Sequence, residues 1–301
     1  MHSQCIVCQI SIRYRDLEKS RNLGEYEKMK IMSDVLAIAK DFMENCLKNG
    51  ENICVPTMLA TKLFRYMKKA LNNPDPYIEE KTLLNKEALK LYENVKAFVL
   101  SGSSVEERLV KAIRFSIIGN LLDIGVLNYT PPTVEEIIEK ALKMDIYGDL
   151  EKAAKILLNS KKVVVVLDNA GEAVFDRLLA DVLRANGSKV SAIVKGGSFQ
   201  NDMTIHDAAL AELDKSFDEV IDSGTDASSI FLDELSEKAR KAIDEAESIV
   251  FKGMANYEYV TEIENVIKKP IIYLLVAKCL PVSIASGIPL GKAGVVIHNI
   301  A

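Results

Sequence analysis

"VVVVLDNAGEAVFD", residues 163–176, decides how the rest of the chain is read. Four valines and a leucine make an apolar, β-branched run of strand length, the kind a sheet buries on both faces. The run stops at Asp168 and Asn169, and after a small-residue turn come Glu172 and Asp176. An oily strand that ends on so much carboxylate and amide oxygen either caps a helix or holds a positive group. Capping accounts for Asn169-x-x-Glu172, which has capping-box spacing. It does not account for two oxygen donors in a row at 168–169.

Further runs rich in Val and Ile follow at 189–194, 219–222, 248–251, 270–276 and 294–297. Helical patterns lie between most of them, at 171–186, 204–214, 228–246 and 255–268. Strands alternating with helices predict βαβ units and a mainly parallel sheet covered on both faces. Residues 1–160 instead carry successive helical patterns (25–48, 57–71, 86–100, 105–124, 133–145), punctuated by "NNPDP" at 72–76, "SGSS" at 101–104 and "NYTPP" at 128–132. The expected fold class is α/β. A Rossmann-like α/β/α sandwich occupies 161–301, with an all-helical, cap-like N-terminal domain over 1–160.

The 301 residues carry a net charge of −5, which argues against a nucleic-acid partner. The basic stretch "KLFRYMKKAL" (62–71) fits the solvated side of an amphipathic helix. No apolar run reaches the ~18–20 residues of a membrane span, and the N-terminus lacks signal-peptide features, so a cytoplasmic protein is expected. Its five cysteines (Cys5, Cys8, Cys46, Cys54, Cys279) are then expected to be mostly reduced. Cys5-x-x-Cys8 is half a zinc site without a second Cys-x-x-Cys, and reads as a packed or redox-sensitive pair. The three histidines show no ligand spacing.

In open α/β sheets the C-terminal strand ends share one rim, where ligands bind. Here each strand delivers polar residues to it. The first gives Asp168 and Asn169, the second Lys195, Asn201 and Asp202, the third Asp222 to Asp226, the fourth Lys252, Gly253, Asn256 and Glu258. Asp168, Asn169 and Asp202 would offer a hard divalent cation three oxygens and leave positions for water and substrate. Lys195 and Lys252 would face an anionic substrate, and the backbone N–H groups around Ser223 and Gly224 could cradle phosphate. Together they suit metal-assisted phosphoryl chemistry. The bland readings are a capping turn at Thr204-x-x-Asp207, an ordinary turn at "SGTD" and a surface role for Lys252.

"LDNAGEAVFD" (167–176), "VKGGSFQNDMTIHD" (194–207), "DSGTD" (222–226) and "FKGMANYE" (251–258), with "CIVC" (5–8), "DPYIEEK" (75–81) and "SIIGNLLDIG" (116–125), resemble the metal-dependent damage-control phosphatases. That family was long described as a domain of unknown function and is also called acidic-residue-methyltransferase-like. The Cys-x-x-Cys resembles its archaeal and microbial branch. The resemblance implies a divalent cation (Mn²⁺, Co²⁺, Ni²⁺ or Mg²⁺) and hydrolysis of phosphate esters of small metabolites such as sugar phosphates. It also implies Asp168, Asn169 and Asp202 as metal ligands, Lys252 as the substrate-phosphate lysine, and Asn120 and Asp123 as residues facing the site; Asn201, Ser223, Gly224 and Lys195 are added as phosphate contacts from their places on the rim. Water is the economical nucleophile, with Glu172 or Asp176 as base or orienting group; an aspartyl nucleophile such as Asp168 would have to lie in line with the leaving oxygen. Position 170 is Ala, which sets aside the Asp-x-Asp phosphatases. Two other classes stay open: an S-adenosylmethionine-dependent carboxyl methyltransferase, against which no Gly-x-Gly follows the first strand, and a binding protein for phosphorylated metabolites without turnover.

Overall fold

A computed structural model of the chain describes residues 1–20, 23–48, 54–120 and 134–299. Among these residues seven strands form one sheet: β1 (Ile146–Tyr147), β2 (Lys162–Val166), β3 (Lys189–Val194), β4 (Glu219–Asp222), β5 (Ser248–Lys252), β6 (Ile271–Val276) and β7 (Ala293–His298). Their spatial order is β1-β7-β6-β5-β2-β3-β4. The five strands from β6 to β4 are parallel, and β7 runs antiparallel to β6 with β1 alongside it. From β2 the chain progresses outward through β3 and β4; from β5 it progresses the other way. The gap between β2 and β5 is therefore the switch point at which such sheets open a crevice.

The valines of β2 show why the sheet is covered twice. Val163 and Val165 enter the core beneath one layer of helices, and Val164 and Val166 enter the core beneath the other. The first layer is α4 (Ile78–Leu100), α5 (Val105–Gly119), α6 (Val134–Lys143), α7 (Leu150–Asn159) and α8 (Glu172–Ala185), which contribute Tyr92, Phe115, Ala141, Leu157 and Phe175. The second includes α9 (Glu237–Glu245) and α10 (Gly253–Val260). A separate cluster around Leu17, Val35 and Leu63 joins α1 (Ser3–Lys19), α2 (Glu25–Lys48) and α3 (Pro56–Ala70). The boundary expected at 160/161 falls between α7 and β2, and the first core draws residues from both sides of it. No described helix is long and apolar enough to cross a membrane.

Three expected helices are corrected. Residues 204–214 form turns ending in a short 3-10 segment. Asp207 Oδ2 accepts from the Thr204 N–H at 3.1 Å and its hydroxyl at 2.6 Å, a side-chain turn that competes with the helix. The helix expected over 228–246 begins only at Glu237, after the Ser236 cap, because Ser228 and Ser229 bond sideways to Thr57 and Asn256. The one expected over 255–268 ends at Val260. α1, α7 and α11 (Leu280–Ser286) were not anticipated. Of the cysteines expected to be mostly reduced, Cys46 and Cys54, with Cα atoms 5.9 Å apart, form a disulfide, while Cys5, Cys8 and Cys279 are not disulfide-bonded. The bond ties the end of α2 to the start of α3.

Lys81 fastens α4 to the segment after β3. Its ammonium is fully buried, 2.6 Å from Asp207 and 2.7 Å from Asp75. Lys81→Met leaves the Asp207 carboxylate buried without its cation, and is expected to lower the unfolding free energy by about 3–5 kcal/mol. Urea unfolding at neutral pH measures this, and a loss near zero would show that the segment is held by other contacts.

Candidate active site at the switch point

The loops after β2 and β3 are laced together by their backbones. Met203 N–H donates to the Asp168 carbonyl at 2.7 Å and Ala170 N–H to the Asn201 carbonyl at 2.8 Å, so that Asn169 and Asp202 form an isolated antiparallel bridge. This pairing is what brings Asp168, Asn169 and Asp202, far apart in sequence, to one edge of a cavity of about 680 Å³. The loop after β5 closes on them from the other side of the switch point. Gly253 has φ +77°, and a Cβ there would lie 1.8 Å from Asp168 Oδ2. Only a residue without a side chain lets the backbone approach that carboxylate so closely.

Behind the cavity is a dense ionic network. Asn120, at the C-terminal end of α5, donates to Asp168 Oδ2 at 3.0 Å and to Glu172 Oε2 at 2.9 Å. The Asn169 amide nitrogen makes the same two contacts at 2.9 Å each. Because that nitrogen is bound inward, the Asn169 carbonyl oxygen is the atom on the opposite side of its amide. Lys252, the last residue of β5, is fully buried and donates to Glu172 Oε1 at 2.7 Å and the Ser116 carbonyl at 2.6 Å, with Asp176 Oδ1 at 2.9 Å. Ser116 Oγ donates to the same Asp176 oxygen at 2.5 Å. Burial pushes the Asp176 carboxyl up, Lys252 opposes it and Glu172 adds to it, leaving its pKa at about 6. Burial alone would lower the Lys252 ammonium, but Asp176 and Glu172 outweigh it and its pKa is raised.

The expected site residues thus separate into groups. Asp168, Asn169 and Asp202 line the cavity. Glu172, Asp176, Asn120 and Lys252 stand behind them, and the lysine's contacts are to two carboxylates and a carbonyl. Lys195 is buried with its ammonium 3.5 Å from Asp202 Oδ2, and burial lowers its pKa against the pull of Asp202 and Asp168. Asn201 is buried and joins the loops through its backbone. The N–H groups of 223–225 are already paired, with the Val194 carbonyl, Asp222 Oδ1 and Ser223 Oγ respectively, so Ser223 and Gly224 hold a turn. Asp123 lies outside the described residues. Sequence reasoning missed Lys278, just past β6, which lines the cavity and is the only Lys or Arg among its described lining residues. Its position two residues beyond an apolar run, on the same rim as the other loops, is the signal that could have found it.

The donor set suits a hard cation. Among the described residues no three His, Cys, Asp or Glu side chains converge as a metal-ligand group. Two carboxylates and an amide oxygen do share the cavity edge, as Mg²⁺-like ions accept when water completes the shell. Gly253 adds no side chain of its own beside Asp168 Oδ2.

The chain belongs to the family described as the damage-control phosphatase ARMT1-like domain, which matches residues 1–293. It is 36% identical over 275 residues to a damage-control phosphatase of Archaeoglobus fulgidus, covering 88% of this chain and 92% of that protein. It is 34% identical over 293 residues to an uncharacterized protein of Methanocaldococcus jannaschii, covering 96% and 92%. The crystal structure of a DUF89 family protein from Pyrococcus horikoshii superposes with a TM-score of 0.82 at 27% identity, covering 98% of this chain and 97% of that one.

An acid whose folded pKa is raised binds a proton in the folded chain that the unfolded chain has lost. Between 3.8 and about 6, the stability Asp176 contributes therefore falls as pH rises. Lys252→Met removes the cation that restrains this shift, so the window of dependence extends to higher pH. Urea unfolding should show a loss of about 3–5 kcal/mol at neutral pH that shrinks on acidification. A loss independent of pH would place the lysine's role in packing.

Proposed function

We propose that this phosphatase is metal-dependent, holding a divalent cation through Asp168, Asn169 and Asp202, and that it hydrolyses phosphate monoesters of small metabolites in the cytoplasm. Sugar phosphates, implied by the sequence resemblance, are the first class to assay. The carrying observation is the cavity edge itself, where two carboxylates and an amide from two laced loops meet in a cavity that Lys278 also lines. A cation bound there, Mg²⁺, Mn²⁺, Co²⁺ or Ni²⁺, neutralises phosphate charge and polarises the phosphoryl group.

The chain's own residues divide the remaining work. Lys278 offers positive charge to phosphoryl oxygens at the mouth of β6, where charge builds in the transition state. Asn120 and Asn169 grip Asp168 Oδ2 and keep that carboxylate oriented. Both Glu172 oxygens are occupied, by Lys252 on one side and the two asparagines on the other, which supports a positioning role for it over that of a base. Asp176 is buried behind it and holds Lys252. Water entering the cavity is then the attacking group, and Phe199 and Ile12 in the wall limit how much of it enters.

Phosphate release from sugar phosphates and an aryl phosphate, by protein stripped with chelator and then given each metal in turn, tests the reading. Turnover should return with metal and be abolished in Asp168→Ala. Lys278→Ala should lower kcat/KM by about 100-fold or more while metal affinity holds. Silence with every metal, despite bound metal, would make the chain a binder of phosphorylated metabolites.

A further inference from the structure

The turn that carries Asp202 to the cavity edge holds a residue in an unfavourable backbone conformation. Asp202 N–H donates to the Phe199 carbonyl at 2.9 Å, and Gln200, second in this turn, has φ +44°. Asn72 and Asn299, also at positive φ, are of the type that enters this region most readily. Gln200 is not, and it lines the cavity. Its backbone is fixed from both sides. Phe199 before it packs edge-on against Phe64, with ring centroids 5.2 Å apart, and the Asn201 carbonyl after it accepts from Ala170 N–H. Glycine would hold such a turn without the strain, so what glutamine adds there is its side chain.

That side chain has no work inside the fold. Gln200 is 7% exposed, and its Nε2 has no hydrogen-bond partner among the described residues. A buried amide nitrogen without an acceptor is unfavourable, and a ligand that brings one relieves it. Gln200 shares the cavity lining with Asp168, Asn169 and Asp202. Rotation about its last side-chain bond is soft, so the amide can turn its nitrogen toward a group seated at that edge while the turn stays in place. Phosphoryl oxygens are ionised acceptors, the kind that gains most from such a donor.

We propose that Gln200 is a phosphate-contact residue: its side-chain amide donates to a non-bridging oxygen of the phosphoryl group at the cavity edge, and the left-handed backbone of the turn is what carries the amide there. The proposal rests on the phosphatase reading of the same cavity and adds to it a neutral donor from the loop that also bears Asp202.

Two substitutions with opposite effects on the backbone test it. Gln200→Gly removes the amide and suits the turn, whereas Gln200→Ala removes the amide and keeps the strain. Calorimetric titration of the Mn²⁺-loaded full chain with inorganic phosphate should show both variants binding about tenfold or more weakly than the wild type, the scale of one hydrogen bond to a charged acceptor. Mn²⁺ affinity should stay within about threefold of the wild type in both. In urea, Gln200→Gly should unfold at a midpoint no lower than the wild type and higher than Gln200→Ala, because it alone relieves the turn. Phosphate bound equally by all three proteins, or not bound by the wild type, would overturn the proposal. So would phosphate and Mn²⁺ affinities that fall together, which would reduce Gln200 to a support for Asp202. Turnover of an aryl phosphate is scored separately: phosphate bound with the expected differences but the ester left intact would remove the phosphatase reading and leave the contact standing.

Discussion

Lys252 is the residue on which the site's architecture depends. It sits at the end of β5 with no exposed surface, and its ammonium joins three groups on two helices: Glu172 and Asp176 on α8 and the Ser116 carbonyl on α5. Two carboxylates this close would repel one another without a cation between them, and a lone buried ammonium would be as unfavourable. Each charge is tolerable only with the others in place. The cluster therefore fixes the distance between α5, α8 and the sheet at the point where Asn120 and Asn169 reach Asp168. At the same level α5 comes close to α8, because Gly119 presents no side chain to Glu172. Chemistry at the cavity edge and packing behind it are held by one set of contacts.

The switch point supplies the space that this network walls off. Strands β2 and β5 are neighbours, but their following segments leave in opposite directions, α8 toward one helix layer and α10 toward the other. The crevice between them is an outcome of strand order. The lacing of the β2 and β3 loops then fills one side of the crevice with oxygen donors, and Lys81 anchors that lacing from α4 through Asp207. A helix of the N-terminal half thus helps to position a loop more than a hundred residues away.

Much of this was legible from the sequence, and the limits have physical causes. The six longer strands lie within a residue or so of their expected positions, because runs of Val and Ile bounded by polar loops have few other folds open to them. Asp168, Asn169 and Asp202 were found by asking which polar residues follow strands. Lys252 was found the same way, but the direction of its side chain was not, since whether a strand-end lysine faces a cavity or a buried acid depends on α8 and α5. Lys278 escaped because its loop looked apolar. The turns at 204–214 escaped because Thr204 and Asp207 have the spacing of a helix cap, and only the tertiary contact with Lys81 shows them serving a turn instead. The Cys46–Cys54 bond could not be deduced from spacing, as it depends on where α2 ends relative to α3.

The reversed direction of β7 decides how one wall of the cavity is built. A parallel β7 would need a crossover carrying the chain back beneath the sheet. Because β7 is antiparallel, its first residue, Ala293, lies opposite Val276 at the end of β6, and the chain between them stays on the rim. Ala277 is bonded to both Gly291 and Lys292 at the base of this excursion, which closes it off like a drawstring. Lys278, Cys279, Leu280, Pro281, Leu290 and Gly291 all face the cavity from within it. One wall of the cavity is therefore a single excursion from the sheet, closed at its base by Ala277, seated in the second core through Val282 and Ile288, and tied to α10 where the Tyr257 hydroxyl donates to the Ala285 carbonyl.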